Sequence, residues 1–326
     1  MAVEAAPIPT APPSDKVAVA CGRSASANET LMGGRATITV VGGSPGLLGA
    51  AFELARRCES LWSRFIPTSD IMRLNRAEGR PVEVNELTIA LVEAMIEGHT
   101  LTAGTFDPTL LPDVIAAGYD RSVLDPTQRT VLPASAVTSG RLEDIRIDPP
   151  KIQLPLGTTL DPGGIGKGAA ADAVCELALA GGADGVMAEI GGDIVVAGES
   201  PSGEAWCLGI ENPFAGADPS DDIHVDVVQL TAGALVTSSV RKRIFSLEGT
   251  DRHHLIDPST HRSATTEVQT VSVIASTGAR AEVLTKAGFL VDPDDYLDWL
   301  PTVGAAGLVV LADGTCDEST NWGEHR

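Results

Sequence analysis

The sequence predicts an α+β fold. Segments with the two-residue period of strands mix with segments of helical spacing, without the regular βαβ order of a doubly wound sheet. No stretch of the chain repeats another. A hydrophobic content of 43% and a charged content of 21% over 326 residues describe a globular chain with a substantial core. That length allows one large domain or two medium ones.

Residues 1–28 are rich in Ala and Pro and carry Asp15 and Lys16. They lack the apolar core of a signal peptide and are expected to form a disordered tail. "AVAC" before Gly22 faintly resembles a lipoprotein cleavage site, but no apolar region precedes it. "RATITVVG" alternates and is β-branched, so it predicts a strand. "LLGAAFELARRCESLWSRF" predicts a helix with Leu54, Cys58, Leu61, Trp62 and Phe65 near one face. "SDIMRLN" predicts a short helix capped by Ser69 or Asp70. "NELTIALVEAMIEGHTLTAG" predicts another, with Asn85 as cap and Gly104 as stop. "FDPTLLP" is a turn, because Pro108 disfavours helix at Asp107.

Residues 120–160 read as strands and loops. A helix is expected over about 166–180. "GVMAEI" is a strand ending at a "GGD" turn, and "WCLGIENP" and "VVQLTAGALVTSS" are strands. "RIFSLEG" and "DRHHLIDP" form a hairpin. "VQTVSVIAS" is a strand, "GARAEVLTKAGFLV" a helix, and "AAGLVVLADGT" a last strand and turn.

The formal net charge is −21. With no basic stripe to offset the acid, binding nucleic acid through its phosphates is excluded as the main function. A small anion could still bind, given a lysine, a helix N-terminus or a divalent metal. Cys21, Cys58, Cys175, Cys207 and Cys316 match neither a zinc pattern nor a disulfide framework. A reducing, cytoplasmic location is the simpler expectation. No apolar run approaches the roughly 20 residues that span a bilayer.

The segment "LDPGGIGKGAAADAV" places an acid, glycines and Lys167 before a helix. It is no Walker loop, because Asp161 stands where the first Gly belongs and Gly168 follows Lys167. The spacing of Gly164, Gly166 and Gly168 also fails the dinucleotide fingerprint. Yet glycines allow close backbone approach, helix-terminal amides attract phosphate, and Lys167 adds positive charge. The competing interpretation is a glycine-rich turn into a core helix, with Lys167 in solvent.

"DRHHLIDPSTHR" brings His253, His254 and Asp257 within five positions, a pairing suited to proton transfer or to ordering a phosphate. One His of the pair is structural, since strand neighbours face opposite sides. Alternatively, Asp257-Pro258 is only turn chemistry. Gly191, Gly192 and Asp193 follow a strand and could form a plain turn. Asp107 of "FDPT" could be a simple Asx-turn. Thr237 and Ser238 of "VTSSVRKR" offer hydroxyls beside three cations, or belong to a charge-guarded strand edge.

Taken in order, "LMGG", "LWSRFIPTSDIMRLNRAEG", "TAGTFDPTLLP", "LDPGGIGKGAAADAV", "EIGGDIVVAG", "VTSS", "HHLIDPSTHRSA" and "VSVIASTGARAEVLTKA" resemble the ApbE family of FAD:protein FMN transferases. The resemblance runs from about Glu29 to Gly314. It implies a T-fold-like α+β domain over residues 29–326, with two subregions around a flavin cleft. It also implies FAD as substrate, Mg²⁺ at its diphosphate, and a target flavoprotein whose Thr hydroxyl accepts FMN as AMP leaves.

Residue by residue, the resemblance puts Met32 and Asp107 at the flavin nucleotide. Asp161, Gly163, Gly164 and Lys167 fall at the phosphates, with Gly191, Gly192 and Asp193 lining the same cleft. Thr237, Ser238 and Lys286 join the nucleotide-binding set. His254, Asp257, Glu282 and Lys167 are the implied catalytic residues.

The metal ligands are implied at Gly166, through its carbonyl, and at Glu282 and Thr285. The late metal motif departs from its relatives' Ala-Asp-x-x-x-Thr. Glu282 replaces Asp and Lys286 replaces Thr, and a protonated amine cannot ligate Mg²⁺. Lys286 could instead supply part of the metal's charge. Ser239 and His261 replace two further glycines of the family pattern. Two alternatives use the same cleft: FAD binding without transfer, and metal-dependent FAD hydrolysis. A nonenzymatic scaffold would leave the Gly-Lys and His-Asp motifs unexplained.

Overall fold

The computed structural model describes residues 19–216, 223–241, 244–247 and 250–326. Strands β1 (Val19–Cys21), β2 (Ser24–Leu31) and β3 (Gly34–Gly42) come first. Helices α1 (Leu47–Trp62) and α2 (Asp70–Asn75), strand β4 (Val82–Glu83), and helices α3 (Glu86–Leu101) and α4 (Leu111–Ala116) follow. Strands β5 (Arg146–Asp148) and β6 (Lys151–Gln153) lead to helix α5 (Gly166–Ala180). Then come β7 (Ala183–Ile190), β8 (Asp193–Gly198), β9 (Trp206–Glu211), β10 (His224–Leu230) and β11 (Ala232–Ser239). Two small hairpins are built from β12 (Ile244–Leu247) with β13 (Thr250–His253), and from β14 (Ile256–Asp257) with β15 (Arg262–Ser263). Strand β16 (Val268–Ala275), helices α6 (Gly278–Ala287) and α7 (Pro293–Trp299), and strands β17 (Ala306–Leu311) and β18 (Cys316–Glu318) complete the order.

Nine strands form one antiparallel sheet in the order β1-β2-β3-β7-β8-β11-β16-β17-β18. The α+β expectation therefore holds. Strand alternation divides the sheet's side chains between two cores. On one face Ile38, Val186, Ala234 and Val236 pack with helices α1, α3, α5 and α6. On the other, Val41, Val196, Leu235 and Ile274 pack under the β9–β10 hairpin and Trp322. The expected strand "VVQLTAGALVTSS" divides between layers: β10 pairs only with β9, while β11 lies inside the main sheet between β8 and β16.

Helix α1 turns a stripe of Leu47, Ala51, Phe52, Ala55, Cys58 and Trp62 to the core, whereas Leu54 and Leu61 are half-buried. Caps sit where composition places them. Ser69 accepts the amide of Met72 at 3.1 Å, and Asn85 accepts that of Leu87 at 3.0 Å.

Two expectations need correction. Order begins before residue 29, because β1 and β2 join the sheet edge; residues 1–18 of the expected tail lie outside the described residues. Helix α4 begins at Leu111, within the "FDPTLLP" stretch expected to be a turn, and the short acidic helix α7 was not expected at all. Among the described residues no helix is long and apolar enough to cross a membrane.

The placement of the site depends on α5 against α6. A Cβ built on Gly168 would fall 2.2 Å from the Gly278 carbonyl oxygen, and one on Gly278 would fall 2.6 Å from that of Gly168. Only glycine at both positions permits this backbone approach. Asp172 locks it by accepting the amides of Gly278 at 2.6 Å and Ala279 at 2.9 Å, which caps α6.

Candidate functional site

A cavity of about 400 Å³ opens at the N-terminal end of α5. Its floor is the turn Asp161–Gly164 and the first residues of α5, including Gly166 and Lys167. Met32, Asp107, His254 and Lys286 also line it, so four chain-distant motifs meet there. Asp161 is the cap of its own turn: its carboxylate accepts the Gly163 amide at 3.0 Å. A Cβ on Gly164 would lie 3.1 Å from the Phe106 ring and 3.3 Å from Lys286 Cε. The glycine therefore brings bare backbone up to an ammonium-bearing side chain.

Lys167 is not in solvent. Its ammonium donates to Glu282 Oε1 at 2.9 Å and to Asp193 Oδ2. Burial works to discharge it, but the two carboxylates outweigh burial and hold its pKa above the ordinary lysine value. Burial pushes the Asp193 carboxyl up to about 6, against the pull of Lys167. Burial acts likewise on Glu282, yet Lys167 and then Lys286 hold that carboxyl below its ordinary value.

Gly191 and Gly192 support this cluster from behind. Their φ angles of 63° and 94° suit the two-residue turn joining β7 to β8, and that turn delivers Asp193. A Cβ on Gly191 would come within 3.2 Å of Lys167 Cδ. None of Gly191, Gly192 and Asp193 lines the cavity, so they position Lys167 rather than touch a ligand there.

The adjacent hydroxyls Thr237 and Ser238 separate. Ser238 faces α6, where its hydroxyl lies 2.7 Å from Thr285 Oγ1 and accepts from the Lys286 ammonium at 2.7 Å. Thr237 bonds Ser272 on the neighbouring strand at 2.8 Å, on the alternate side of β11. The nucleotide-binding assignment of Thr237 is therefore corrected, for the reason that separates any two neighbours on a strand.

The two histidines separate in the same way. His253 bonds the Ala264 carbonyl through Nε2 at 3.0 Å and holds the hairpin, while His254 lines the cavity. Asp257 lies outside the cavity lining and accepts Ser259 N at 2.8 Å and Ser259 Oγ at 2.7 Å. It shapes the turn, and a direct catalytic role for it is not what this geometry offers. An imidazole–carboxylate contact in this region joins His261 Nδ1 to Asp113 Oδ2 instead, at 3.1 Å. Asp107 does both things considered for it: it lines the cavity, and its Oδ1 accepts Thr109 N and Oγ1 as an Asx-turn.

The proposed metal ligands fit Mg²⁺ poorly. Glu282 gives Oε1 to Lys167 and Oε2 to the Gly168 amide, at 2.9 Å each. The Thr285 hydroxyl donates to the Glu282 carbonyl at 2.7 Å and accepts from Lys286 at 3.2 Å. That leaves the Gly166 carbonyl as the remaining oxygen of the set, whereas Mg²⁺ requires near-octahedral oxygen coordination. Among the described residues no group of three or more His, Cys, Asp or Glu could hold a metal ion.

Sequence reasoning missed Arg64 and Glu59, both of which line the cavity. The Arg64 guanidinium lies between the rings of Phe65 and Tyr119, 4.5 and 4.4 Å from their centroids, and donates to the Tyr119 carbonyl at 2.9 Å. Its signal was a lone cation in the apolar "LWSRF" run. Glu59 accepts the Met32 amide at 2.7 Å and so fixes Met32, whose φ is 52°. Burial raises the Glu59 carboxyl above its ordinary value.

The ApbE family model matches residues 32–308. The FAD:protein FMN transferase of Treponema pallidum is 29% identical over 262 residues, covering 75% of this chain and 71% of the relative. That of Klebsiella pneumoniae is 25% identical over 279 residues, covering 81% and 76%. The crystal structure of the ApbE protein from Thermotoga maritima superposes with a TM-score of 0.79 at 25% identity, over 95% of this chain and 99% of that one. The flavin transferase ApbE from Vibrio cholerae shares the fold with a TM-score of 0.74, at 20% identity and over 96% and 100% of the two chains. By fold, by ordered motifs and by the length matched, the chain belongs to the ApbE family.

Proposed function

We infer that this protein is an FAD:protein FMN transferase. It takes FAD as substrate and passes FMN to a Thr hydroxyl on a target flavoprotein, with release of AMP. One observation carries the reading beyond family membership. Two lysine side chains, Lys167 and Lys286, line one cavity at a helix N-terminus, and Lys286 packs against its glycine turn. Amides at a helix N-terminus and fixed ammonium groups together suit a diphosphate.

The chemistry required is modest. The acceptor Thr oxygen forms a bond to the phosphorus on the FMN side, and the bond from that phosphorus to the bridging oxygen breaks. The bridging oxygen leaves with AMP. The turn at Gly163 and Gly164 lets backbone approach the diphosphate, and the lysines offset charge that grows on the leaving oxygen. Asp193 and Glu282 hold Lys167 in place. His254 is positioned in the cavity wall to take the Thr proton. Met32, Asp107 and the apolar wall at Phe106 serve the flavin nucleotide.

Incubation with FAD and a panel of Thr-bearing FMN-binding domains tests this. A flavin-fluorescent acceptor band that survives denaturation, with an equal amount of AMP, is the expected result. FMN and AMP appearing without any acceptor would replace transfer by hydrolysis. Tight FAD binding with no AMP from any acceptor would leave a carrier.

A further inference from the structure

Resting on that reading, we propose that Lys286 takes the place of a divalent cation at the FAD diphosphate, so that this enzyme binds its substrate without metal. The argument starts from charge. Asp193 and Glu282 form the acidic half of the cluster beside the cavity, and Lys167 bonds both. Without Lys286 the three would sum to −1, an arrangement that attracts a further cation. Lys286 follows Glu282 by four residues on α6, which puts the two side chains on one helix face. Its charge acts on both Asp193 and Glu282. The sum of the four groups becomes zero.

The oxygens tell the same story. Both Glu282 oxygens and the Thr285 hydroxyl are committed to protein hydrogen bonds. An incoming Mg²⁺ would have to displace Lys167 from Glu282 and sit against two ammonium groups of its own sign. The Lys286 ammonium is anchored by Ser238 Oγ at 2.7 Å and Thr285 Oγ1 at 3.2 Å. Its Cε lies 3.3 Å from where a Gly164 Cβ would stand, so the side chain that carries the charge packs against the glycine turn. Lys286 also lines the cavity, whereas Ser238, Thr285 and Glu282 lie behind it. A ligand entering the cavity therefore meets the Lys286 side chain before it meets any of those three oxygen-bearing side chains.

The test is calorimetric FAD binding by the full chain in EDTA and in excess Mg²⁺. Wild type is expected to bind with affinities that agree within about twofold. Lys286→Thr, which restores a hydroxyl in place of the cation, is expected to bind at least tenfold more weakly in EDTA and to recover in Mg²⁺. Lys286→Met is expected to lose affinity in both, and unchanged thermal melting checks that each variant is folded. Wild-type binding that weakens tenfold or more in EDTA overturns the proposal while leaving the transferase reading intact, and it needs no variant. Lys286→Thr that binds like wild type in EDTA also overturns it. Absence of binding by wild type in both buffers removes the FAD reading itself, and this proposal with it.

Discussion

Gly168 on α5 and Gly278 at the start of α6 touch backbone to backbone, each occupying the space a side chain would need on the other. That contact sets the distance between Lys167, one residue before Gly168, and Glu282, four residues after Gly278. It is a packing relationship with a direct consequence for the chemistry of the cavity.

Gly168→Ala should therefore act on binding as well as stability. The added methyl forces α5 and α6 apart at a cost of about 1–3 kcal/mol. The Gly168 amide bond to Glu282 and the Lys167–Glu282 pair should loosen together. Chemical denaturation and FAD titration should both shift. A variant as stable as wild type that also binds FAD normally would mean the contact is not the spacer described here.

Lys167→Met removes the cation that two buried carboxylates share. Breaking a buried pair from one side costs about 3–5 kcal/mol, because the remaining charge is uncompensated. FAD affinity should fall with it. In the double variant Lys167→Met, Asp193→Asn part of the stability should return, but FAD affinity should not, and comparing melting with titration separates the two.

His254→Ala should leave FAD affinity within a few fold of wild type and slow transfer by about 10²–10⁴, the usual contribution of a positioned general base. Asp257→Ala should disturb the Ser259 turn and be milder in transfer than His254→Ala. Single-turnover rates at saturating FAD distinguish them. The reverse order would return the catalytic role to Asp257.

Thr237→Val and Ser238→Ala test strand alternation at the site. Thr237→Val loses the Ser272 bond, worth about 1 kcal/mol, and should not affect FAD binding. Ser238→Ala removes an anchor of Lys286 and should weaken FAD binding severalfold. Equal effects on affinity would contradict the placement of Thr237 away from the cavity.

His253 gives a pH dependence. Burial lowers its pKa below the ordinary 6.5, against the bond to the Ala264 carbonyl. The folded state then binds fewer protons than the unfolded one, so stability is present above pH 6.5 and is lost as pH falls through the folded-state value. Against His253→Gln, which cannot charge, wild type should lose melting temperature between pH 7 and pH 5. A constant difference over that range would show that His253 titrates alike in both states.

Element types were legible in the sequence because periodicity and caps are written in consecutive residues. Helix α5 spans the expected 166–180, Ser69 and Asn85 cap as read, and the turn before β8 follows from its two glycines. Helices α4 and α7 escaped because short proline-led helices carry too few turns to show a period. The sequence also announced a glycine turn leading into a helix at Lys167, and that strand neighbours would send His253 and His254 to different sides, although not which of the two would line the cavity.

What tertiary structure alone decided is which groups share a charge. Lys167 and Glu282 are 115 residues apart, and Lys286 and Ser238 are 48 apart. No local pattern states that the Glu282 oxygens are already committed, that Thr237 lies on the far side of its strand, or that Arg64 sits between two rings at the cavity wall. Local sequence fixes backbone conformation within a few residues, whereas electrostatic partnership depends on distances set by the packing of helices on the sheet.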